Sequence, residues 1–217
     1  MRIRAILALI ATMFISACVA YSAVKPGTVE VGSLQLDPSM TWNAAPNVSA
    51  GYTNRQTQVW TRDGLLLNRI IIVPGVADGK SIFRQTDKSQ ALPVFESDML
   101  ANEIEELVES SIVKLFGEGQ VAVRTEHLRP NRFGTNRGFM FDMVVSMSDG
   151  PDYRGLAGAF VYEQQLFLIM YFGAEPYYYE KRREEAESLI KSARIKLVSV
   201  TDTMKQQWSA ESGAVKL

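Results

Sequence analysis

The sequence predicts an α+β fold with a mainly antiparallel sheet and two principal helices on one face of that sheet. Three features lead to this prediction. Asp-Gly turns at 63–64 and 149–150 separate strand-like segments, three such segments follow one another between residues 139 and 172, and only two segments have a clear helical period. Strands that follow one another without alternating helices pair in antiparallel fashion, and helices outside that run cover the sheet.

The first half of the chain contains a predicted hairpin followed by a long loop. Residues 57–62 are interpreted as a strand that contains Trp60, Asp63-Gly64 follows, and residues 65–67 and 70–73 are continuously apolar. This pattern is typical of two strands joined by a turn, the second of them central in its sheet. Residues 74–96 are then predicted to be a polar loop, of a length that is uncommon outside functional segments.

The clearest helix is predicted for residues 97–116. Ser97 or Asp98 can cap its start, and Gly117 ends it. We expect Glu105 and Glu109 to point outward. The face predicted to be buried carries apolar side chains at helical spacing, with one serine: Leu100, Ile104, Leu107, Val108, Ser111 and Leu115.

A strand, a loop and the meander come next. Residues 120–128 alternate as a strand, and residues 129–138 form a loop rich in Arg, Asn and Gly. The third strand of the meander is continuously apolar, which again indicates a central position. The meander strands are predicted at residues 139–147, 153–163 and 166–172.

The second helix opens at Glu175-Pro176, because proline is favoured in the first helical turn. The side chains predicted to be buried are Tyr179, Ala186, Leu189, Ile190 and Ala193. The whole segment QQLFLIMYFGAEPYYYEKRREEAESLIKSARI, with an earlier helix beside it, resembles the Mog1/PsbP-like fold. That fold ends in an apolar strand, a helix and a Ser-x-Arg segment, here Ser192-Ala193-Arg194. The resemblance implies a binding or assembly role more often than catalysis.

The N-terminus has the layout of an export signal. Arg2 and Arg4 precede the apolar residues 5–14, a stretch shorter than the roughly 20 apolar residues that span a bilayer. Ile15-Ser16-Ala17-Cys18 resembles the lipobox of bacterial lipoproteins, in which the cysteine is acylated and becomes the new N-terminus. The resemblance implies a membrane anchor at Cys18, the only cysteine of the chain. An ordinary signal peptide with a chance cysteine is the alternative.

The predicted anchor divides the chain into four parts. Residues 1–17 are the signal peptide, 18–35 a lipidated tether, 36–200 a single α+β domain and 201–217 a flexible tail. We therefore expect the protein in the bacterial cell envelope, facing the periplasm. Val19 follows the cysteine in place of Asp, which by resemblance to enteric lipoprotein sorting favours the outer membrane over the inner one.

Composition argues against several classes of function. The 217-residue chain has a formal net charge of −1, whereas nucleic-acid recognition rewards a strongly basic face. One histidine and one cysteine argue against a zinc or copper site, and we expect no cofactor.

The strongest binding chemistry lies in the predicted loop. Arg129, Arg132 and Arg137 occur there with Asn131 and Asn136. Arginine forks bind carboxylate or phosphate, so these residues are candidates to hold an anionic ligand or the acidic patch of an envelope protein. A solvated loop with local ion pairs is the alternative.

A second candidate surface is aromatic. Tyr177, Tyr178 and Tyr179 are consecutive, and three consecutive side chains on a helix cannot all face the core. Tyr177 and Tyr178 are therefore candidate partner-binding residues, since exposed tyrosines are enriched at interfaces. The alternative is that two of the three pack under the sheet and one lies flat over it.

We expect a non-enzymatic binding or assembly-support role in the envelope. The alternatives are a hydrolase acting on cell-wall or lipid substrates and a structural subunit of an envelope complex. A hydrolase would need His127 in a Ser-His-Asp device, although no G-x-S-x-G motif occurs, or a pair of carboxylates. The pairs Glu103/Glu106 and Glu105/Glu109 are neighbours on one helix, which is typical of a solvated face.

Overall fold

The computed structural model describes residues 20–46, 53–54, 56–85 and 91–196. Cys18, the predicted signal peptide and the predicted tail at 201–217 lie outside the described residues. Within the described part, the chain forms eleven strands and two helices. The strands are β1 (Ser22–Val24), β2 (Val29–Val31), β3 (Leu34–Leu36), β4 (Trp42–Ala44), β5 (Gln58–Thr61), β6 (Asn68–Ala77), β7 (Val121–Phe133), β8 (Asn136–Met147), β9 (Tyr153–Tyr162), β10 (Gln165–Ala174) and β11 (Arg194–Ile195); the helices are α1 (Ala101–Phe116) and α2 (Tyr178–Lys191).

The main sheet is antiparallel and has eight strands in the order β1-β4-β5-β6-β10-β9-β8-β7. A small sheet pairs β3 with β2 and with β11. The predicted α+β class with a mainly antiparallel sheet is confirmed. The two strands predicted to be central, β6 and β10, are hydrogen-bonded to each other in the middle of the sheet.

The two helices lie on opposite faces of the main sheet, so the prediction that they share one face is wrong. Successive side chains of a strand point to opposite faces. In β6, Ile71 and Val73 pack with the α1 residue Ile104. Ile70 and Ile72 pack instead with the α2 residue Leu189. Strands that are apolar on both faces must be covered on both faces. Here α1 covers one face and α2 covers the other.

The α2 face is closely packed, and the small sheet shares it. The buried Val31 and Leu34 belong to the same core cluster as α2. Gly158 of β9 admits this helix closely, because a Cβ atom there would lie 2.4 Å from Cγ2 of Ile190. The rings of Phe133, Phe160 and Phe167 stack on this face, with neighbouring centroids 5.1 and 5.0 Å apart.

Residues 22–36 belong to the folded domain, which corrects the prediction of a tether over 18–35. They form three strands, β1 to β3, and Val31, Leu34 and Leu36 are completely buried. The low charge of this segment reflects burial in a core and not a spacer.

The hairpin at residues 58–77 differs in detail from its prediction. Residues 65–67 form a turn, so the second strand begins at Asn68. It continues through Pro74 to Ala77, into the segment predicted as a loop. Pairing with β10 shifts from Pro74 to Val76, which leaves Gly75 as an extra residue with φ +128°, a conformation that favours glycine.

Helix α1 begins four residues later than predicted. The Leu100 backbone N–H donates to the Glu103 carboxylate at 2.6 Å, which replaces the expected cap from Ser97 or Asp98. Leu100 therefore precedes the helix and is 65% exposed, whereas it was predicted to be buried. Gly117 follows the last helical residue, as predicted, and Ile104, Leu107 and Val108 are buried.

Candidate functional site

An apolar cavity of about 410 Å³ lies under the C-terminal half of α1, at the end of the sheet where β6 begins and β8 ends. Its size is within the range of small-molecule sites in proteins. The walls come from five strands, α1 and the turn before β6. The lining consists of Val59, Leu65, Leu66, Arg69, Ile71, Phe83, Ile112, Leu115, Phe116, Val145, Met147, Tyr153 and Phe172.

Among the described residues that line the cavity, Arg69 is the only charged one. Its Nη1 donates to the Leu65 carbonyl oxygen at 3.1 Å. Its guanidinium carbon lies 5.2 Å from the ring centroid of Tyr153 and 5.5 Å from that of Phe172, so two aromatic rings hold the cation by cation–π contacts. Its Nε is buried without a hydrogen-bond partner, and Arg69 forms no ion pair within the described part of the chain.

The rim of the cavity is partly apolar and exposed. The Tyr153 hydroxyl donates to the Leu66 carbonyl oxygen at 2.8 Å and thereby fastens the turn that precedes β6. The Leu66 side chain is 76% exposed and the Phe116 side chain 39% exposed. An apolar ligand could therefore enter between the turn and the end of α1 without passing a polar barrier.

Sequence analysis missed this site, although one local signal for it exists. Arg69 has the same strand parity as Ile71 and Val73, so it points toward the core face that α1 covers. A charged residue on a buried face needs a reason. The cavity itself is formed by residues that are far apart in the chain, so no local sequence pattern predicts it.

Arg129 belongs to a strand and not to a loop, because the predicted loop 129–138 is the end of the long hairpin β7–β8. Its Nη2 donates to Asp142 Oδ1 at 3.0 Å, and its Nη1 donates to the His127 carbonyl oxygen at 2.8 Å. The His127 Nδ1 lies 3.0 Å from the other oxygen of Asp142. Arg129 is therefore engaged locally, as the alternative of local ion pairs describes.

Arg132 and Arg137 lie directly opposite each other in the hairpin, and both are exposed. No ion pair or hydrogen bond of either guanidinium occurs among the described residues. Like charges that face each other across two strands repel. Asn131 and Asn136 lie beside them, half-buried, and the Asn131 side chain donates to the Arg132 carbonyl oxygen at 3.1 Å.

Tyr177 and Tyr178 lie elsewhere, at the start of α2. Tyr177 is 60% exposed, which confirms that at least one of the three tyrosines faces solvent, while Tyr179 is buried. Lys181 Nζ lies 5.2 and 5.4 Å from the ring centroids of Tyr177 and Tyr178 and donates to Asp63 at 2.8 Å.

The aromatic and arginine candidates are not brought together. The hairpin tip reaches the opposite end of α2, because a Cβ at Gly134 would lie 2.9 Å from the Cβ of Arg194. The intervening helix of 14 residues is about 20 Å long.

Asp63 links the turn beside the cavity to α2. Partial burial acts to raise the pKa of this carboxyl, but hydrogen bonds from Lys181, Arg182 and Asn68 outweigh burial and lower the pKa from 3.8 to about 2. The carboxylate is therefore charged at neutral pH and holds Lys181 and Arg182 of the helix.

The carboxylates of the two candidate pairs lie in different surroundings. The Glu109 carboxylate accepts hydrogen bonds from the backbone N–H and the hydroxyl of Thr125, both at 3.2 Å, so the prediction that it points outward is wrong. Burial and the neighbouring carboxylates of Glu109 and Glu106 raise the pKa of Glu105. The Glu103 carboxylate is used at the start of α1.

The two remaining arrangements are a catalytic triad at His127 and a metal site. Within the described residues, no serine or threonine hydroxyl is hydrogen-bonded to His127, and no group of three or more metal-ligating side chains is arranged to hold an ion. The described helices include none that is long and apolar enough to cross a membrane.

These features define an α+β sheet domain with an apolar cavity that contains one cation. No protein-family model and no curated protein matches the chain. Among solved structures, it is similar to the cyanobacterial PsbP of Synechocystis sp. PCC 6803, with 8% identity over 84% of this chain and 99% of that one and a TM-score of 0.43. It is also similar to the Ran-binding protein Mog1p of Saccharomyces cerevisiae, with 10% identity over 82% and 96% and a TM-score of 0.39. With TM-scores below 0.5, the architecture rests on the strands and helices described above.

Proposed function

We propose that this protein is a lipid-anchored binding protein of the bacterial envelope whose domain holds an apolar small molecule between α1 and the sheet. The observation that carries this proposal is the cavity of about 410 Å³, lined by hydrocarbon except at Arg69 and the Tyr153 hydroxyl. A void of this size loses packing contacts that a monomeric core would otherwise make. A bound apolar molecule would restore those contacts, so ligand binding accounts for the presence of the void.

The lipid anchor remains a proposal that rests on the sequence around Cys18. It fits a ligand taken from a membrane, because β1 begins at Ser22, four residues after the cysteine. Four extended residues reach about 14 Å at most, so an acylated Cys18 would hold the domain close to the bilayer surface. The absence of Asp after the cysteine favours the outer membrane, as in the sequence argument.

Binding is favoured over the hydrolase alternative by the chemistry of the cavity. The described residues of its lining include no carboxylate, histidine, serine or cysteine that could attack a substrate or move a proton. The cavity supplies apolar area and one fixed cation, which suffice to hold and orient a molecule.

Probe binding tests the proposal. N-phenyl-1-naphthylamine, a neutral apolar dye, should bind the purified full-length protein with increased fluorescence. Leu115→Trp places a large ring in the cavity and should weaken binding at least tenfold. Leu128→Trp, on the exposed part of β7, is the matched control and should bind like the wild type. Absence of dye binding to the wild type, or equal binding by all three proteins, would refute the proposed function.

The anchor is tested separately by Cys18→Ser. The wild-type protein should fractionate with membranes and carry the added mass of its acyl chains, since two or more chains give stable anchoring. The variant should lose both the mass and the membrane association. If the variant stays in the membrane fraction with unchanged mass, the lipidation proposal is wrong.

A second binding role is favoured at the hairpin tip. Arg132 and Arg137 face each other without a counter-ion in the described part of the chain, and an anionic partner would relieve their repulsion. We therefore retain an acidic patch of an envelope protein as the occupant of this surface. Residues 136–147 of β8 separate the tip from the cavity by roughly 35 Å, so the two surfaces would act independently.

A further inference from the structure

We infer that the ligand of the cavity is a fatty acid whose carboxylate pairs with Arg69. This inference rests on the proposed function and adds the chemical class of the ligand. In this arrangement the carboxylate lies at the start of β6, and the hydrocarbon chain lies among the side chains under α1.

The first argument is the uncompensated charge of Arg69. Arg69 is half-buried, and a guanidinium nitrogen that is removed from water needs a hydrogen-bond acceptor. The Leu65 carbonyl oxygen accepts from Nη1, but Nε is buried without an acceptor and no carboxylate of the described residues pairs with this side chain. The edge formed by Nε and Nη2 is the geometry that binds a carboxylate through two parallel hydrogen bonds.

The second argument is that the rings of Tyr153 and Phe172 fix the direction of this edge. They lie within 5.5 Å of the guanidinium carbon and restrict its rotation. A positioned cation costs a ligand less ordering than a mobile surface arginine would. The cation is thus prepared for an anion before the ligand arrives.

The third argument concerns which anion fits. Arg69 is the single cation among the lining residues that the structure describes, so it matches one negative charge and leaves a doubly charged phosphate monoester half-compensated. The same described residues include no carboxylate for the ammonium group of a zwitterionic lipid. A neutral hydrocarbon would leave Nε unpaired. A carboxylate attached to one acyl chain satisfies all these conditions.

Competition for the bound dye tests the inference. Dodecanoate, dodecanol and dodecyl phosphate are titrated against N-phenyl-1-naphthylamine bound to the full-length protein. Dodecanoate should compete about ten- to a hundredfold more strongly than dodecanol, as expected for one charge-assisted pair in a water-poor site. It should also exceed dodecyl phosphate. Equal competition by the acid and the alcohol, or the strongest competition by the phosphate, would overturn the inference.

Two variants locate the effect. Arg69→Met keeps an unbranched, flexible apolar stem and removes the charge, so it should still bind the dye but lose the preference for dodecanoate. Arg154→Met is the control, because Arg154 pairs with Glu175 outside the cavity lining, and it should keep the preference. Arg69→Gln is also neutral, so it should lose the preference as well, and it serves if Arg69→Met does not fold. Unchanged dodecanoate preference in whichever of these two variants folds would overturn the inference, whereas dye binding by the wild type would leave the proposed function standing.

Discussion

The two faces of the main sheet are covered in different ways. On one face, α2 and the small sheet meet a surface in which Gly158 admits Ile190 closely and three phenylalanine rings stack. On the other face, α1 packs well along its middle but leaves a cavity below Leu115 and Phe116. The same strands thus take part in a filled core and in an unfilled one.

This difference separates stability from binding within one small domain. Adding or removing atoms in a filled core lowers the free energy of unfolding, because packed side chains have little freedom to adjust. A core with a void tolerates added volume and gains from an apolar guest. If the cavity binds a ligand as proposed, the α2 face can hold the fold together while the occupant of the α1 face changes.

Side-chain enlargement gives the largest expected difference between the faces. Ala186→Leu on α2 and Leu115→Phe on α1 each add three carbon atoms. Ala186 is completely buried in the packed face, so its enlargement should lower the free energy of unfolding by about 1–3 kcal/mol. Leu115→Phe extends into the cavity and should change it by less than about 1 kcal/mol. Urea unfolding of both variants measures this, and equal losses would mean that the two faces are packed alike.

Much of this architecture could be predicted from local sequence patterns. The continuously apolar runs at 70–73 and 166–172 identified the central strands, because burial on both faces removes polar alternation. The same runs contained the reason why two helices on one face could not be right, since the other face would have stayed uncovered. Local patterns indicate that a face is buried, but they do not say which distant element buries it.

The long hairpin was mistaken for a loop for a different reason. β7 is an edge strand, and its second half carries Arg129, Pro130, Asn131 and Arg132. Charged residues and proline on an edge prevent pairing with other chains. Such an edge has the composition of a loop, so strand and loop cannot be told apart by composition there.

The candidate site was predictable only in its single charged residue. Arg69 breaks an apolar core face, and that fact can be read from the strand parity. The void depends on how the side chains of β8, β10 and α1 fail to meet, which is a property of the three-dimensional packing. The arginines at 129, 132 and 137, by contrast, were conspicuous in the sequence, yet one of them is used for a local ion pair.

An effect of intermediate size on the free energy of unfolding is expected on acidification, and it arises at Asp63, between the two faces. Asp63 joins α2 to the turn that lines the cavity, and its pKa is about 2 in the folded protein against an ordinary value of 3.8. A carboxyl with a lowered pKa contributes stability above its unfolded pKa, and this contribution is lost as the pH falls from about 4 toward 2. The wild type should therefore be more stable than Asp63→Asn at pH 6, and the difference should shrink below pH 4. Thermal melts across this range measure it, with Asp149→Asn in the exposed turn after β8 as a control that should follow the wild type.

The smallest effect on stability is expected at the hairpin tip, where Arg132 and Arg137 are exposed. Arg132→Ala combined with Arg137→Ala removes two facing cations that have no counter-ion among the described residues, so the melting temperature should stay constant or rise slightly. Arg129→Ala breaks the pair with Asp142 and should cost up to about 1 kcal/mol, as partly exposed ion pairs do.

If the tip binds an acidic partner, pull-down from envelope extracts should recover less of that partner with the double variant than with Arg129→Ala. Recovery by the wild type should fall as salt is added, because screening weakens exposed charge pairs. Dye binding in the cavity should be the same in all these proteins. A double variant that unfolds would show that these two arginines support the fold, and equal, salt-independent recovery would show that the tip is only a solvated turn.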